Sequence, residues 1–316
     1  MKNKHLKRIF FIASLIIIVL SCNYEPSKLR IGYKPIAVDL PIFAAVEEGY
    51  FKEQGFNVEL VRFTSSNDQV NAATLGKIDV FEAATNVVFD VGFVSKIKHK
   101  LIITNPYSNE KGYISDYLLV SDTNKIKKIE DLKGEKIGVF PGSVIKMFCN
   151  LIFMKHGLNK DDYELIELQT KDWAIALKTG QIAALSALEP TASQIIKDKI
   201  AYPIVNGLYA ELMPNVPLSG HWISEEFEKK YGEDVTKKII LAYNKSIDFI
   251  ETNPEKAKKY IVKYANVRED VLSKVNLNKW KKHEELDYKE IQSFIDLLYE
   301  NGAIQNKENI NDYMCK

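Results

Sequence analysis

The chain has 316 residues, 46% of them apolar, with 43 Lys and Arg set against 42 Asp and Glu. That balance gives no charge basis for a nucleic-acid partner, and the apolar fraction over this length suffices for two domains with real cores. Cys22, Cys149 and Cys315 are the only cysteines and lack any metal-type spacing.

The first 21 residues read as a signal peptide. Lys2, Lys4, Lys7 and Arg8 form a basic start, and residues 9–21 are an uncharged apolar run. That run is shorter than the roughly 20 residues a spanning helix takes. Val19-Leu20-Ser21-Cys22 resembles the bacterial lipobox, which implies lipid on Cys22 and an extracytoplasmic protein anchored to a bacterial membrane, periplasmic or at the cell surface. The alternative is an ordinary secretory signal with an incidental cysteine. Residues 22–28 are a short polar tether. Without the four basic leader residues the balance becomes 39 basic to 42 acidic, a net of −3.

From Leu29 onward short β-type runs alternate with helical ones, the α/β pattern of a mostly parallel sheet covered by helices. Strands are expected over 29–33, 58–63, 78–83 and 101–104, with helices over 41–54, 67–75 and 86–97. A second set follows, with strands over 117–121, 136–140, 164–167, 183–188 and 202–205 and helices over 143–156, 172–179 and 190–198. Cys149, inside the apolar stretch 144–154, is expected to be buried and inert. The tail over 229–300 is charged with helical spacing, for example Ile239, Ala242, Tyr243, Ile247 and Ile250, and is expected to wrap over the first lobe. Trp280, among its lysines, is read as a helix-packing residue.

One unit occurs twice. Ala72-Ala73-Thr74-Leu75-Gly76-Lys77-Ile78-Asp79-Val80 and Ala176-Leu177-Lys178-Thr179-Gly180-Gln181-Ile182-Ala183-Ala184 each read as a helix end, a glycine and a short strand. The expectation is two α/β lobes with a ligand cleft, lobe 1 from 29–110 plus 215–316 and lobe 2 from 111–214. Two crossover segments are placed near 105–116 and 206–217.

Specific residues carry a family resemblance. Ile31-Gly32-Tyr33, Pro41-Ile42-Phe43-Ala44-Ala45, the run from Glu47 to Leu60, Gly76-Lys77-Ile78-Asp79-Val80, the run from Ile129 to Val139, Pro141-Gly142-Ser143, Gly157-Leu158 and Glu189-Pro190 resemble the nitrate, sulfonate and taurine type of substrate-binding protein of ABC importers. That group also includes binders of thiamine-precursor pyrimidines. The resemblance covers about residues 29 to 200 and implies a type II periplasmic-binding-protein-like fold that closes on a small organic solute and delivers it to an ABC permease and its ATPase. It implies a monomer without cofactor or catalysis. One departure is Ala183, where the family often has Asp, and this puts a ligand contact there in doubt.

Ligands of open α/β sheets bind beyond the carboxyl ends of the strands. This selects loops 33–40, 64–67 and 84–86 in lobe 1, and 140–143, 169–173 and 189–191 in lobe 2. Candidate ligand contacts are Tyr33, Lys34, Asp39, Ser65, Ser66, Thr85, Asn86, Tyr107, Gly142, Ser143, Trp173, Glu189 and Trp222. Gly142-Ser143 offers a helix N-terminus to an anion, or Ser143 simply caps its helix. Ser66 with Gln69 fits a capping box. Lys34 suits an anionic ligand; Asp39 and Glu189 suit an amine or ring N–H, or cap the helices that follow. Tyr33, Tyr107, Trp173 and Trp222 could stack on a ring, with packing the favoured reading for Trp222.

Two other functions are weighed. A surface lipoprotein with a decayed cleft would serve adhesion. A synthase of the thiamine pyrimidine, similar in fold to this family, would need a histidine and an iron-binding cysteine cluster; here His99, His156, His221 and His283 are well separated and no cysteine cluster exists.

Overall fold

The computed structural model describes residues 27–108, 113–265 and 267–315. The leader and Cys22 lie outside the described residues. Chain order in the first half is β1 (Ser27–Tyr33), α1 (Leu40–Glu47), α2 (Tyr50–Glu53), β2 (Phe56–Arg62), α3 (Ser66–Thr74), β3 (Val80–Ala84), α4 (Thr85–Ser95) and β4 (Lys100–Asn105). The second half runs β5 (Asp116–Val120), β6 (Lys136–Val139), α5 (Ser143–Lys155), β7 (Glu164–Glu167), α6 (Trp173–Lys178), β8 (Ala184–Leu188), α7 (Thr191–Lys197) and β9 (Tyr202–Asn206). It returns through β10 (Ser219–Ile223), α8 (Glu225–Tyr231), α9 (Glu233–Thr252), α10 (Pro254–Ala265) and α11 (Tyr288–Glu300).

Two five-stranded sheets result, ordered β2-β1-β3-β10-β4 and β7-β6-β8-β5-β9. In each, three parallel strands are followed by one antiparallel strand that the chain supplies on arriving from the other sheet: β10 between β3 and β4, and β5 between β8 and β9. The repeated unit occupies the same place in both, its glycines left-handed at φ +63 for Gly76 and +72 for Gly180. A side chain there would be strained, whereas glycine turns from helix to strand without cost.

Four expectations differ from the structure. The helix over 41–54 is two helices, broken at Gly49 with φ +78. Strand β10 was not foreseen; both of its faces are buried, so no polar and apolar alternation marks it. Trp280 packs into the lobe 1 core from the irregular run 275–282 rather than from a helix. The tail covers both lobes. Its helices α9 and α10 seat Ile239, Tyr243, Ile247 and Ile261 in the lobe 1 core, but Phe294 of α11 meets Phe148 of lobe 2 at 6.0 Å between ring centres. Cys149 is fully buried, and burial pushes its thiol up to about 12.

Candidate functional site

Between the lobes lies a cavity of about 540 Å³. Lobe 1 contributes Lys34, Pro35, Ile36, Arg62 and Thr64, all just beyond the carboxyl ends of β1 and β2 or at the last residue of β2. Lobe 2 contributes Phe140 after β6, Gln169, Thr170, Lys171 and Ala174 after β7, and Thr191, Gln194, Ile195, Asp198 and Ile200 on and after α7. Ala265 and Val267 of the tail complete it. Five of the six loops chosen by the strand-end rule therefore reach the cavity. The loop 84–86 does not.

Lys34 lines this cavity but its ammonium turns inward. Its Nζ donates to the Glu82 carboxylate, to the Glu82 carbonyl at 3.1 Å and to Ser66 Oγ at 3.3 Å, and the residue is 3% exposed. Lys34 is thus neutralised within lobe 1 and offers the cavity its stem. Around Glu82 a buried network extends: Asn105 Nδ2 donates to Glu82 Oε1 at 3.3 Å and to Ser219 Oγ at 3.0 Å, and Asn105 Oδ1 accepts from Trp280 Nε1 at 3.1 Å. His221 Nε2 lies 3.2 Å from the Val38 carbonyl and Nδ1 lies 3.2 Å from the Tyr243 hydroxyl. The pairing assigns the Nε2–H tautomer, since a carbonyl can only accept. Burial lowers His221 to about 4, so the ring is neutral near pH 7.

Asp39 is fully buried in the same lobe. Its Oδ2 accepts the Lys34 N–H at 2.5 Å, while Oδ1 has no hydrogen-bond partner among the described residues. Burial, then the nearby Glu82 charge, hold its pKa well above the usual carboxylate value. It sits at the N-cap of α1 without a capping bond from its side chain, so the capping alternative does not hold there.

The other candidates are dispersed. Ser65, not Ser66, caps α3, and Gln69 is buried with both side-chain polar atoms unpartnered among the described residues, so the Ser66 and Gln69 capping box is absent. Thr85 Oγ1 donates to the Pro217 carbonyl at 2.9 Å. Asn86 Nδ2 donates across the lobes to Ser143 Oγ at 3.0 Å, so Ser143 meets lobe 1 rather than capping α5, whose N-cap is Gly142. The Gly142 N–H donates to Glu167 Oε1 at 3.3 Å. Tyr33 packs edge-on against Phe43 and Tyr264, and Tyr107 against Tyr209. Trp222 is buried in β10 against Phe89. Trp173 is fully buried, its Nε1 donating to the Leu168 carbonyl at 2.9 Å, and it supports the cavity from behind through its edge contact with Phe140.

Glu189 accepts from Tyr117 OH at 3.0 Å, Ser193 Oγ at 2.8 Å and the Asn276 N–H at 3.2 Å, and its Oε2 accepts the Ser193 N–H of α7 at 3.3 Å. Burial raises it to about 7. Its capping role is therefore real, and its carboxylate is filled by protein donors.

Arg62 and Lys171 were not among the sequence candidates. They line the cavity from opposite lobes, both exposed, and neither side chain has a salt bridge or hydrogen bond among the described residues. The other charged lining groups are compensated, Lys34 by Glu82 and Asp198 by Arg268. The cavity thus has two unmatched positive charges over a wall of Ile36, Phe140, Ile195 and Val267.

The Ala183 question resolves structurally. Asp79 clamps the middle of β1: its Oδ2 accepts the Arg30 N–H at 2.8 Å and Nε at 3.0 Å, and its Oδ1 accepts Nη2 at 2.6 Å. Ala183 holds the equivalent place, its N–H donating to the Lys136 carbonyl at 2.9 Å as that of Asp79 does to Arg30 at 2.8 Å. Both lie at the amino ends of strands, away from the cavity lining. Ala183 therefore stands outside the cavity, and its missing acid removes no lining group.

A family model described as NMT1/THI5 like matches residues 38–257. The chain belongs to the NMT1/THI5-like family. Among relatives of this NMT1/THI5-like chain, a Brucella abortus protein that carries the name of a binding protein is 23% identical over 240 residues, covering 76% of this chain and 72% of its own. The 4-amino-5-hydroxymethyl-2-methylpyrimidine phosphate synthase THI11 of Saccharomyces cerevisiae is 23% identical over 282 residues, 82% of this chain and 70% of its own. In fold the chain is similar to the alkanesulfonate-binding protein SsuA of Xanthomonas axonopodis pv. citri bound to MOPS, with TM-score 0.73 and 18% identity over 92% of this chain and 98% of that one. It is also similar to the nitrate-binding protein NrtA of Synechocystis, with TM-score 0.72 and 14% identity over 90% and 84%. The family and these likenesses give the chain the periplasmic-binding-protein fold.

Proposed function

We propose that the chain is the solute-binding component of an ABC import system, held outside the cytoplasm by lipid on Cys22, and that its solute is an organic molecule with an acidic group and an apolar body. The observation that carries this reading is the cavity walled by both lobes, with Arg62 and Lys171 unmatched over apolar side chains. An anion placed between them would be attracted to both lobes at once, which favours the closed state over the open one as ligand-driven closure requires. A volume of 540 Å³ is that of a pocket for an organic molecule, such sites running to roughly 300–1,000 Å³, and far more than a nitrate fills. Alkyl or aryl sulfonates suit the site, and a pyrimidine precursor suits it where it carries an acidic group.

Binding rather than catalysis is supported by where the titratable groups are spent. His99 bonds Thr74 Oγ1 and the Glu225 N–H, His221 is sealed in its network, and His283 bonds the Ile102 carbonyl. None of the three lines the cavity.

Because Trp173 stands behind Phe140, tryptophan fluorescence reports on the site. Titration with MOPS, hexanesulfonate, taurine, nitrate and 4-amino-5-hydroxymethyl-2-methylpyrimidine should give a saturable change with the bulkier organic anions and little with nitrate. A response to nitrate alone, or to none of them from folded protein, would overturn the reading.

A further inference from the structure

The sheets are joined by two crossovers, between β4 and β5 and between β9 and β10. The tail makes a third connection. Helix α10 packs on lobe 1; residues 267–276 then run beside α7 of lobe 2, and the chain returns to lobe 1, where His283 Nδ1 lies 2.6 Å from the Ile102 carbonyl. Along this segment apolar and polar groups serve different lobes. Val267, Val271, Leu272 and Val275 are buried in the lobe 1 core. The polar groups turn to lobe 2: Arg268 Nη1 and Nη2 donate to Asp198 at 2.8 and 2.6 Å, Lys197 Nζ donates to Asp270 Oδ2 at 2.6 Å, Ser193 Oγ lies 2.8 Å from the Lys274 carbonyl, and the Asn276 N–H meets Glu189.

Apolar burial holds only while water is excluded, whereas exposed ion pairs and hydrogen bonds exchange with water at small net cost. If the lobes part, the apolar side therefore stays with lobe 1 and the polar side lets go of α7. Val267 and Asp198 both line the cavity, so this seam runs along its rim.

We infer that residues 267–276 form a releasable latch, rooted in lobe 1 and bonded through Arg268, Asp270 and Asn276 to α7 of lobe 2 and to Asp198 and Glu189 that flank it, that sets how often the cleft opens. Its consequence, slower escape of a captured solute, rests on the solute-binding reading. The latch itself does not.

The test uses full-length protein without ligand, with small-angle scattering for lobe separation and amide hydrogen exchange for local opening. Arg268→Ala should enlarge the radius of gyration and speed exchange of the Asn276 amide roughly three- to tenfold, leaving Ile31 and Leu118 in the two sheets protected as before. The reversed pair Asp198→Arg with Arg268→Asp should restore both readouts. Unchanged scattering and exchange in Arg268→Ala, or faster exchange at Ile31 and Leu118 in step with Asn276, would overturn the latch. Should Arg268→Ala fail to fold, Lys197→Ala decides by the same two readouts. Because no ligand enters, the result stands apart from any failure to find a solute.

Discussion

Lys34 shows how position in a strand-end loop leaves a residue's role open. It lines the cavity as expected, yet its charge is consumed by Glu82, a residue whose burial in β3 nothing in a single sequence reveals. Arg62, the last residue of β2, was within reach of the same strand-end reasoning, but placing that strand at 58–63 left its final cation unconsidered. Charge-assisted hydrogen bonds contribute about 1.5–3 kcal/mol, so Arg62→Ala or Lys171→Ala should weaken binding of an organic sulfonate by about ten- to a hundredfold. The loss should shrink at high salt, since both groups are exposed. Isothermal titration at two ionic strengths checks this, and equal affinity for wild type and both variants would refute it.

Buried titratable groups give a pH prediction of defined sign. Glu189 is raised to about 7 in the folded state, so between the ordinary glutamate value and 7 the native chain holds a proton that the unfolded chain has lost. Its contribution to stability is present at low pH and lost as pH rises through 7. His99 and His221, both lowered to about 4 by burial, act in the opposite sense: their contribution is present above about 6.5 and lost as pH falls through 4. Glu189→Gln removes only the first effect. Urea unfolding should show the variant gaining on wild type by up to about 3 kcal/mol between pH 5 and pH 8; parallel stabilities across that range would contradict the assignment.

Among the elements, the repeat was legible because it is local. Helix end, glycine and strand are written in consecutive residues, and both copies take the same place in their sheets. A less visible constraint lies one strand away. Gly138 in β6 sits so close to Ile182 and Leu185 that an added Cβ would meet them at 2.6 and 2.9 Å. Gly138→Ala should cost about 1–3 kcal/mol by overpacking, read as a lowered thermal midpoint. Asp79→Ala should cost about 1–3 kcal/mol by leaving Arg30 donors unpaired, with solute affinity unchanged because neither residue lines the cavity. A loss of affinity in folded Asp79→Ala would return that residue to the site. Strand β10 and the segment carrying Trp280 escaped the sequence because their partners are remote: His221 meets Val38 and Tyr243, and Trp280 meets Asn105. No periodicity records such contacts.

At the scale of the whole molecule, two sheets exchange one strand each, and the tail binds both lobes where the sequence reading placed it over one. Fold class followed from βα alternation and the family's opening motif, since these depend on neighbours in sequence. Most named site residues did not follow, because which side of a strand end faces the partner lobe is decided only when the lobes meet. Tyr33, Tyr107 and Trp222 accordingly serve the interior, while Phe140, Arg62 and Lys171 form the cavity wall. The central claim is that an organic anion is held between the lobes by Arg62 and Lys171. Titration calorimetry of MOPS, hexanesulfonate and naphthalenesulfonate against wild type and the Arg62→Ala, Lys171→Ala double variant tests it directly. The account predicts one-to-one binding of at least one of the three, with a negative heat-capacity change and a large loss of affinity in the double variant; absence of binding, or equal affinity in the two proteins, would contradict it.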